Sequence, residues 1–169
     1  CPSGKACHVA IVGDSIDDGT TPPGQGSYSN EWRTDFGEGT SAASPCLLVQ
    51  NFAVGSSTTS DIATQVTNNV IGGDFNVVVV GGGINDIAGA VPQATIKSNL
   101  RGIFDDVLGD GAKVVYREVL PYSAESNASI NDINAYVATQ ADVTVLQTSA
   151  GGSLHDDFEE SENVLKTAY

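Results

Sequence analysis

Apolar and polar positions along this chain fall into two kinds of block. One kind is a short, unbroken apolar run: Val9-Ala10-Ile11-Val12, Leu47-Leu48-Val49, Val77-Val78-Val79-Val80, Val114-Val115-Tyr116 and Val143-Thr144-Val145-Leu146. Runs of this length, rich in β-branched residues, read as strands covered on both faces of a parallel sheet. They predict strands at 8–12, 47–51, 75–80, 112–120 and 143–146. The other kind is a stripe at helical spacing. Ile62, Val66 and Val70 predict a helix over 61–70, with Ser60 as its cap and Gly72-Gly73 as its stop. Ile96, Leu100, Ile103, Phe104 and Val107 predict a second between Pro92 and Gly109, and Ile130, Ile133 and Val137 a third over 129–140. Trp32 and Phe36, four apart, predict a short helix within 28–36, and a last one is expected over 157–167.

Strands alternate with helices from end to end, with no internal repeat and no linker. That order implies βαβ units with right-handed crossovers. The expected fold is α/β: a three-layer α/β/α sandwich around a five-stranded parallel sheet, in the order 2-1-3-4-5. One domain over residues 1–169 accommodates it.

Composition narrows the function classes. Hydrophobic residues make up 40% of the 169, which is not a disordered composition. No apolar run approaches the roughly 18 residues of a membrane span. The net charge is −14, from 21 acidic against 7 basic residues. Such a field repels phosphate backbones and anionic membrane surfaces, so no nucleic-acid partner is expected. A first residue of Cys1 rather than Met suggests a processed product. Cys7 and Cys46 each precede a strand expected to lie beside the other. A Cys7–Cys46 disulfide then fits if their Cα atoms come within about 7 Å, and it would mean an oxidising, extracellular setting. Two reduced, buried thiols are the alternative. Cys1 is left as a free thiol, an intermolecular partner or a lipid-modified terminus. Asn127-Ala128-Ser129 fits a glycosylation acceptor.

The chemistry lies in the turns. Gly13-Asp14-Ser15-Ile16 follows the first strand, Ala53-Val54-Gly55 the second, Gly83-Ile84-Asn85-Asp86 the third, and His155 comes after the fifth. In a parallel sheet these segments share the carboxyl edge, where such folds bind ligands. A serine becomes a nucleophile when a base lies within hydrogen-bond reach. A tetrahedral oxyanion needs preorganised donors, such as backbone N–H groups and an amide side chain. Read singly, these residues are ordinary turn formers: Asp14 and Asp86 caps, Gly55 a bend, Asn85 a loop bridge.

Together, the four blocks resemble the SGNH hydrolases, the Gly-Asp-Ser-Leu esterase family. Gly13-Asp14-Ser15-Ile16 matches the nucleophile block, Asn51-Phe52-Ala53-Val54-Gly55 the oxyanion-glycine block, Gly83-Ile84-Asn85-Asp86 the Gly-x-Asn-Asp block and Leu154-His155 the histidine block. The resemblance implies a flavodoxin-like sandwich and hydrolysis of carboxylic esters. It implies Ser15 as nucleophile, His155 as base, and an oxyanion hole made of the Ser15 and Gly55 N–H groups with the Asn85 side chain. One position departs from the pattern: Gly152 stands where the family has an aspartate that orients the histidine. Asp156 or Asp157, or a backbone carbonyl, is then left to hold the ring.

The expectation is a secreted serine esterase, with a lipid anchor at Cys1 as an option, taking short acyl groups such as acetyl from carbohydrate. The rivals are a short-chain lipid esterase and a catalytically weakened extracellular binding or assembly domain. His8 lies at the amino end of the first strand, away from the site. No His, Cys, Asp or Glu cluster has metal-ligand spacing, and Gly81-Gly82-Gly83 lacks the Lys-Ser/Thr of a phosphate loop. No metal or cofactor is expected.

Overall fold

The computed structural model describes residues 7–18, 47–120 and 126–146. Its elements are β1 (Cys7–Val12), a helical turn α1 (Ser15–Asp18), β2 (Leu47–Asn51), α2 (Thr59–Asn69), β3 (Val77–Gly81), a short α3 (Ile84–Ala88), α4 (Gln93–Gly109), β4 (Lys113–Arg117), α5 (Asn127–Ala138) and β5 (Val143–Leu146). The sheet is parallel in the order β2-β1-β3-β4-β5, as the alternation of runs and stripes predicts.

The topology locates the site. From β2 onward each new strand is added in one direction, while β2 itself was added in the opposite direction from β1. The direction of winding therefore reverses at the boundary of β1 and β3, and the crevice beyond their carboxyl ends is where this class of sheet binds ligands.

Alternation along the strands sorts the core into two faces. Ala10, Val12, Val78, Val80, Val114 and Tyr116 face Ile62 and Val66 of α2, Leu100, Ile103, Phe104 and Val107 of α4, and Ile130, Ile133 and Val137 of α5. Val9, Ile11, Val49, Val77, Val79, Val115 and Leu146 form the opposite face and are buried as well, with Ile16 packed against them. Burial of both faces is what a three-layer sandwich requires. No helix among the described residues is long and apolar enough to cross a membrane.

Several boundaries differ from expectation. Helix α2 starts at Thr59 and its cap is Thr58, not Ser60. Thr58 and Asp61 make a reciprocal capping box: the Thr58 N–H donates to Asp61 Oδ2 at 2.9 Å, and the Asp61 N–H to Thr58 Oγ1 at 3.4 Å. The Thr58 hydroxyl, which donates to Asp61 Oδ2 at 2.7 Å, and the Thr58 N–H together hold the Asp61 carboxyl below its usual range. Strand β3 starts at Val77, and Phe75 before it meets Phe52 edge-to-face with ring centroids 5.9 Å apart. Strand β4 ends at Arg117, because the Asn134 side chain takes both the N–H and the C=O of Val119 at 3.0 Å. Helix α5 begins at Asn127, which puts the Asn127-Ala128-Ser129 triplet in its first turn. The expected helices at 28–36 and 157–167 lie outside the described residues.

Candidate active site at the carboxyl edge

Ser15 is placed by its neighbours on both sides. The Asp14 carbonyl accepts from the Asp17 and Asp18 N–H groups at 3.2 and 2.9 Å, and Asp14 Oδ1 accepts from the Ile16 N–H at 2.9 Å. The chain therefore leaves β1, passes Gly13 and winds at once into one helical turn whose first residue is Ser15. Ser15 is half-buried, and its own N–H has no partner among the described residues. A free N–H at the start of a helical turn suits an anion.

The peptide before this turn is clamped by Gln65 of α2. Gln65 Oε1 accepts from the Gly13 N–H, and Gln65 Nε2 donates to the Gly13 carbonyl and to Ser57 Oγ, at 2.9–3.0 Å. An amide can accept and donate from one planar group, so both polar atoms of a glycine peptide are satisfied inside the protein. The β2 loop joins the same knot. Val54 N–H donates to the Gly13 carbonyl at 3.1 Å, and Asn51 Nδ2 donates to the Asp17 carbonyl at 2.8 Å.

Asn85 is the second residue of α3. Its Nδ2 donates to the Ser57 carbonyl at 2.9 Å, which fixes the plane of the amide. The remaining amide hydrogen has no partner among the described residues. Asp86, buried beside it, accepts from the Thr59 N–H at 2.8 Å and the Thr59 hydroxyl at 2.7 Å. It thereby ties the β3 loop to the first turn of α2. Ser15, Gly55 and Asn85 thus sit on three loops cross-linked to one another at one edge of the sheet.

Gly55 behaves differently from the other two. Its N–H donates to Asp18 Oδ2 at 3.0 Å. In this state one of the expected oxyanion donors is engaged by a carboxylate three residues beyond Ser15.

Beneath the turn lies a charge pair that the apolar pattern did not reveal. Arg117, the last residue of β4, meets Asp17 with two parallel hydrogen bonds, Nε to Oδ1 at 2.7 Å and Nη2 to Oδ2 at 2.8 Å. The two side chains are 1% and 2% exposed. Asp14 Oδ1 lies 3.8 Å from the same guanidinium. Burial alone would push the guanidinium toward its neutral form, but the Asp17 charge overrides it and raises the Arg117 pKa further. Asp14, fully buried and with Oδ2 lacking a hydrogen-bond partner among the described residues, has its carboxyl pushed above the usual range by burial, despite Arg117. The signal available in sequence was slight: two glycines, 13 and 81, at the ends of neighbouring strands. A Cβ at either would run into the Asp17 carboxylate.

His155, Gly152, Asp156 and Asp157 lie outside the described residues, as do Cys1 and Cys46. Cys7 is buried at the start of β1, in register with Leu47. His8 is at the amino end of the sheet, its backbone joined to Asn76. Among the described residues no group of three or more His, Cys, Asp or Glu side chains converges as metal ligands would.

Comparison with known proteins agrees with this fold. No curated protein matches the chain significantly by sequence. Solved structures match its fold over most of their length. A candidate lipolytic protein of the G-D-S-L family from Desulfitobacterium hafniense superposes with a TM-score of 0.71 at 18% identity, over 94% of this chain and 98% of that one. A GDSL-like lipase from Bacteroides thetaiotaomicron gives 0.68 at 14% identity, over 96% and 89%. AlinE4, an SGNH-hydrolase family esterase, gives 0.66 at 16% identity, over 98% and 97%. The model of the GDSL-like lipase/acylhydrolase family matches residues 11–167, nearly the whole chain. The chain is a hydrolase of the GDSL-like lipase/acylhydrolase family, with the SGNH fold.

Proposed function

We propose that this protein is a secreted serine esterase that removes acetyl or other short acyl groups from carbohydrate. Ser15 attacks the ester carbonyl while His155 takes its proton; the ester C–O bond breaks, His155 passes the proton to the departing alcohol, and it then activates the water that cleaves the acyl-enzyme and releases the acid. The observation that carries this reading is the pinned amide of Asn85, whose second N–H is unengaged among the described residues, on the same edge as the Ser15 hydroxyl and N–H. Donors held in place before the reaction stabilise an oxyanion without reorganising. The Gly55 N–H joins them when Asp18 turns away. With Gly152 in place of an acid, a backbone carbonyl steadies the imidazole, and Asp156 and Asp157 serve the helix start instead.

The substrate class rests on the surroundings. Among the described residues, the groove beside Gly55 is lined by Ser56, Asp61, Thr64, Asn68 and Asn69, with Val54 as its large apolar residue. Hydroxyl, amide and carboxylate groups suit a polyhydroxylated alcohol better than a long acyl chain. The engagement of Gly55 by Asp18 favours a second reading, a binding domain of the same fold with weakened catalysis.

A fluorophosphonate probe separates the two. The esterase labels at Ser15, hydrolyses p-nitrophenyl acetate faster than longer esters, and loses at least about a thousandfold in kcat on Ser15→Ala. Absence of labelling at Ser15 in folded protein would sink the esterase reading.

A further inference from the structure

We infer that the buried Arg117–Asp17 pair is a positioning device for the nucleophile turn, and that Arg117 is its central residue. The inference rests on the reading of Ser15 as nucleophile only for its catalytic consequence. Asp17 is two residues beyond Ser15 in the single turn α1. A four-residue turn has almost no helical hydrogen bonding of its own to hold it. Its orientation depends on what grips it from outside.

The grip is directional. Arg117 presents Nε and Nη2 as a planar fork to both oxygens of Asp17, and its Nη1 donates to the Glu118 carbonyl at 2.9 Å. The guanidinium is thus anchored to the backbone of its own strand end and fastens the turn to it. Strand pairing puts these groups in one row: Val12 is in register with Val80, and Gly81 with Arg117. Gly13 and Gly81 leave a slot in that row, and the Asp17 carboxylate fills it. A bidentate arginine–carboxylate pair fixes angle as well as distance. Buried pairs of this kind are often no more stabilising than packed hydrophobic residues of similar volume. What a hydrophobic pair lacks is the fork.

That contrast supplies the test. The double variant Asp17→Leu/Arg117→Met removes both charges together and keeps most of the volume. It is expected to melt near or above the wild-type temperature. Amide exchange over residues 15–18 is expected to accelerate at least about tenfold, while exchange in β3 stays unchanged. The saturating rate of fluorophosphonate labelling is expected to fall by up to about a hundredfold, with the half-saturating concentration unmoved. Native-like exchange over 15–18 in a folded double variant would overturn the proposal, since packing alone would then hold the turn. Should the double variant fail to fold, Arg117→Lys decides. It keeps the charge and loses the fork, and is expected to loosen 15–18 relative to β3, whereas unchanged exchange there refutes the inference. Labelling of wild-type protein is scored separately. If Ser15 does not label but the turn loosens in the variants, the esterase reading falls and the positioning role stands.

Discussion

The body of the sheet and its carboxyl edge are built on opposite principles. Among the described residues the buried side chains of the body are apolar, from Val9 and Val79 on one face to Leu100 and Ile133 on the other, apart from the Tyr116 hydroxyl, which donates to the Gly82 carbonyl. The buried polar side chains among the described residues are Asp14, Asp17, Ser57, Thr59, Gln65, Asp86 and Arg117, and all direct their polar atoms to the carboxyl edge. An apolar interior gains stability in proportion to the area it buries. A buried polar network gains little and holds its members in fixed directions. The comparison teaches where each kind of interaction is useful. The body makes the protein stable, and the edge cross-links the segments that follow the first three strands to one another.

If that division is right, lesions in the two regions have different signatures. Leu100→Ala, fully buried between α4 and the sheet, should lower stability by about 2–5 kcal/mol. It should leave the kcat of the folded fraction unchanged, as denaturant titration beside steady-state kinetics would show. Asn85→Ala should do the reverse, with kcat falling about 10²- to 10³-fold, equivalent to about 2.7–4 kcal/mol, and a small change in melting temperature. A melting temperature that drops while kcat holds would move Asn85 from the chemistry to the scaffold.

Gln65→Glu probes the join between the regions. The ionised carboxylate can still accept from the Gly13 N–H but cannot donate to the Gly13 carbonyl or Ser57 Oγ. A loss of about 1–3 kcal/mol is expected, with kcat reduced as well because the Ser15 turn begins there. Retention of full activity in a destabilised variant would show that the clamp is only structural.

Asp14→Asn should have the smallest effect, and its sign depends on pH. The native Asp14 carboxyl binds its proton more tightly than the ordinary value of 3.8. Ionisation therefore favours the unfolded chain. Stability is greatest below the unfolded value and falls as pH rises from there to the raised native value. Asparagine keeps an oxygen for the Ile16 N–H and does not ionise. The variant should match wild type at pH 3.5 and exceed it at pH 7 by on the order of 1 kcal/mol. Equal urea midpoints at both pH values would mean that Arg117 compensates the charge in full.

The two regions also differed in how far they could be read from the residue order. The body was legible because Val77–Val80 or the Ile96-to-Val107 stripe leaves few other arrangements, and strand order followed from the winding rule. The location of Ser15, Gly55 and Asn85 at the edge followed in turn. The way they are held did not. Asp17 and Arg117 look like solvent-facing charges when read locally, and their pairing spans 100 positions. Helix α3 escaped notice because five residues after three glycines show no period. The Thr58 cap was obscured because its partner is Asp61, where a capping box more often has Glu or Gln. That the Gly55 N–H would meet Asp18 has no local signature at all.

The slot beneath the nucleophile turn also bears on how such a sequence can drift. Gly13, Gly81, Asp17 and Arg117 form one interlocking set. A side chain gained at either glycine collides with the Asp17 carboxylate. Loss of Arg117 strands Asp17 in a dry interior, and loss of Asp17 leaves the guanidinium with only Asp14, 3.8 Å away, as its opposite charge among the described residues. Single steps away from this arrangement are therefore all unfavourable, while certain joint steps are close to neutral. Neighbouring positions of this type show strong non-additivity. The four positions would behave in a mutational library as one character with two or three permitted states.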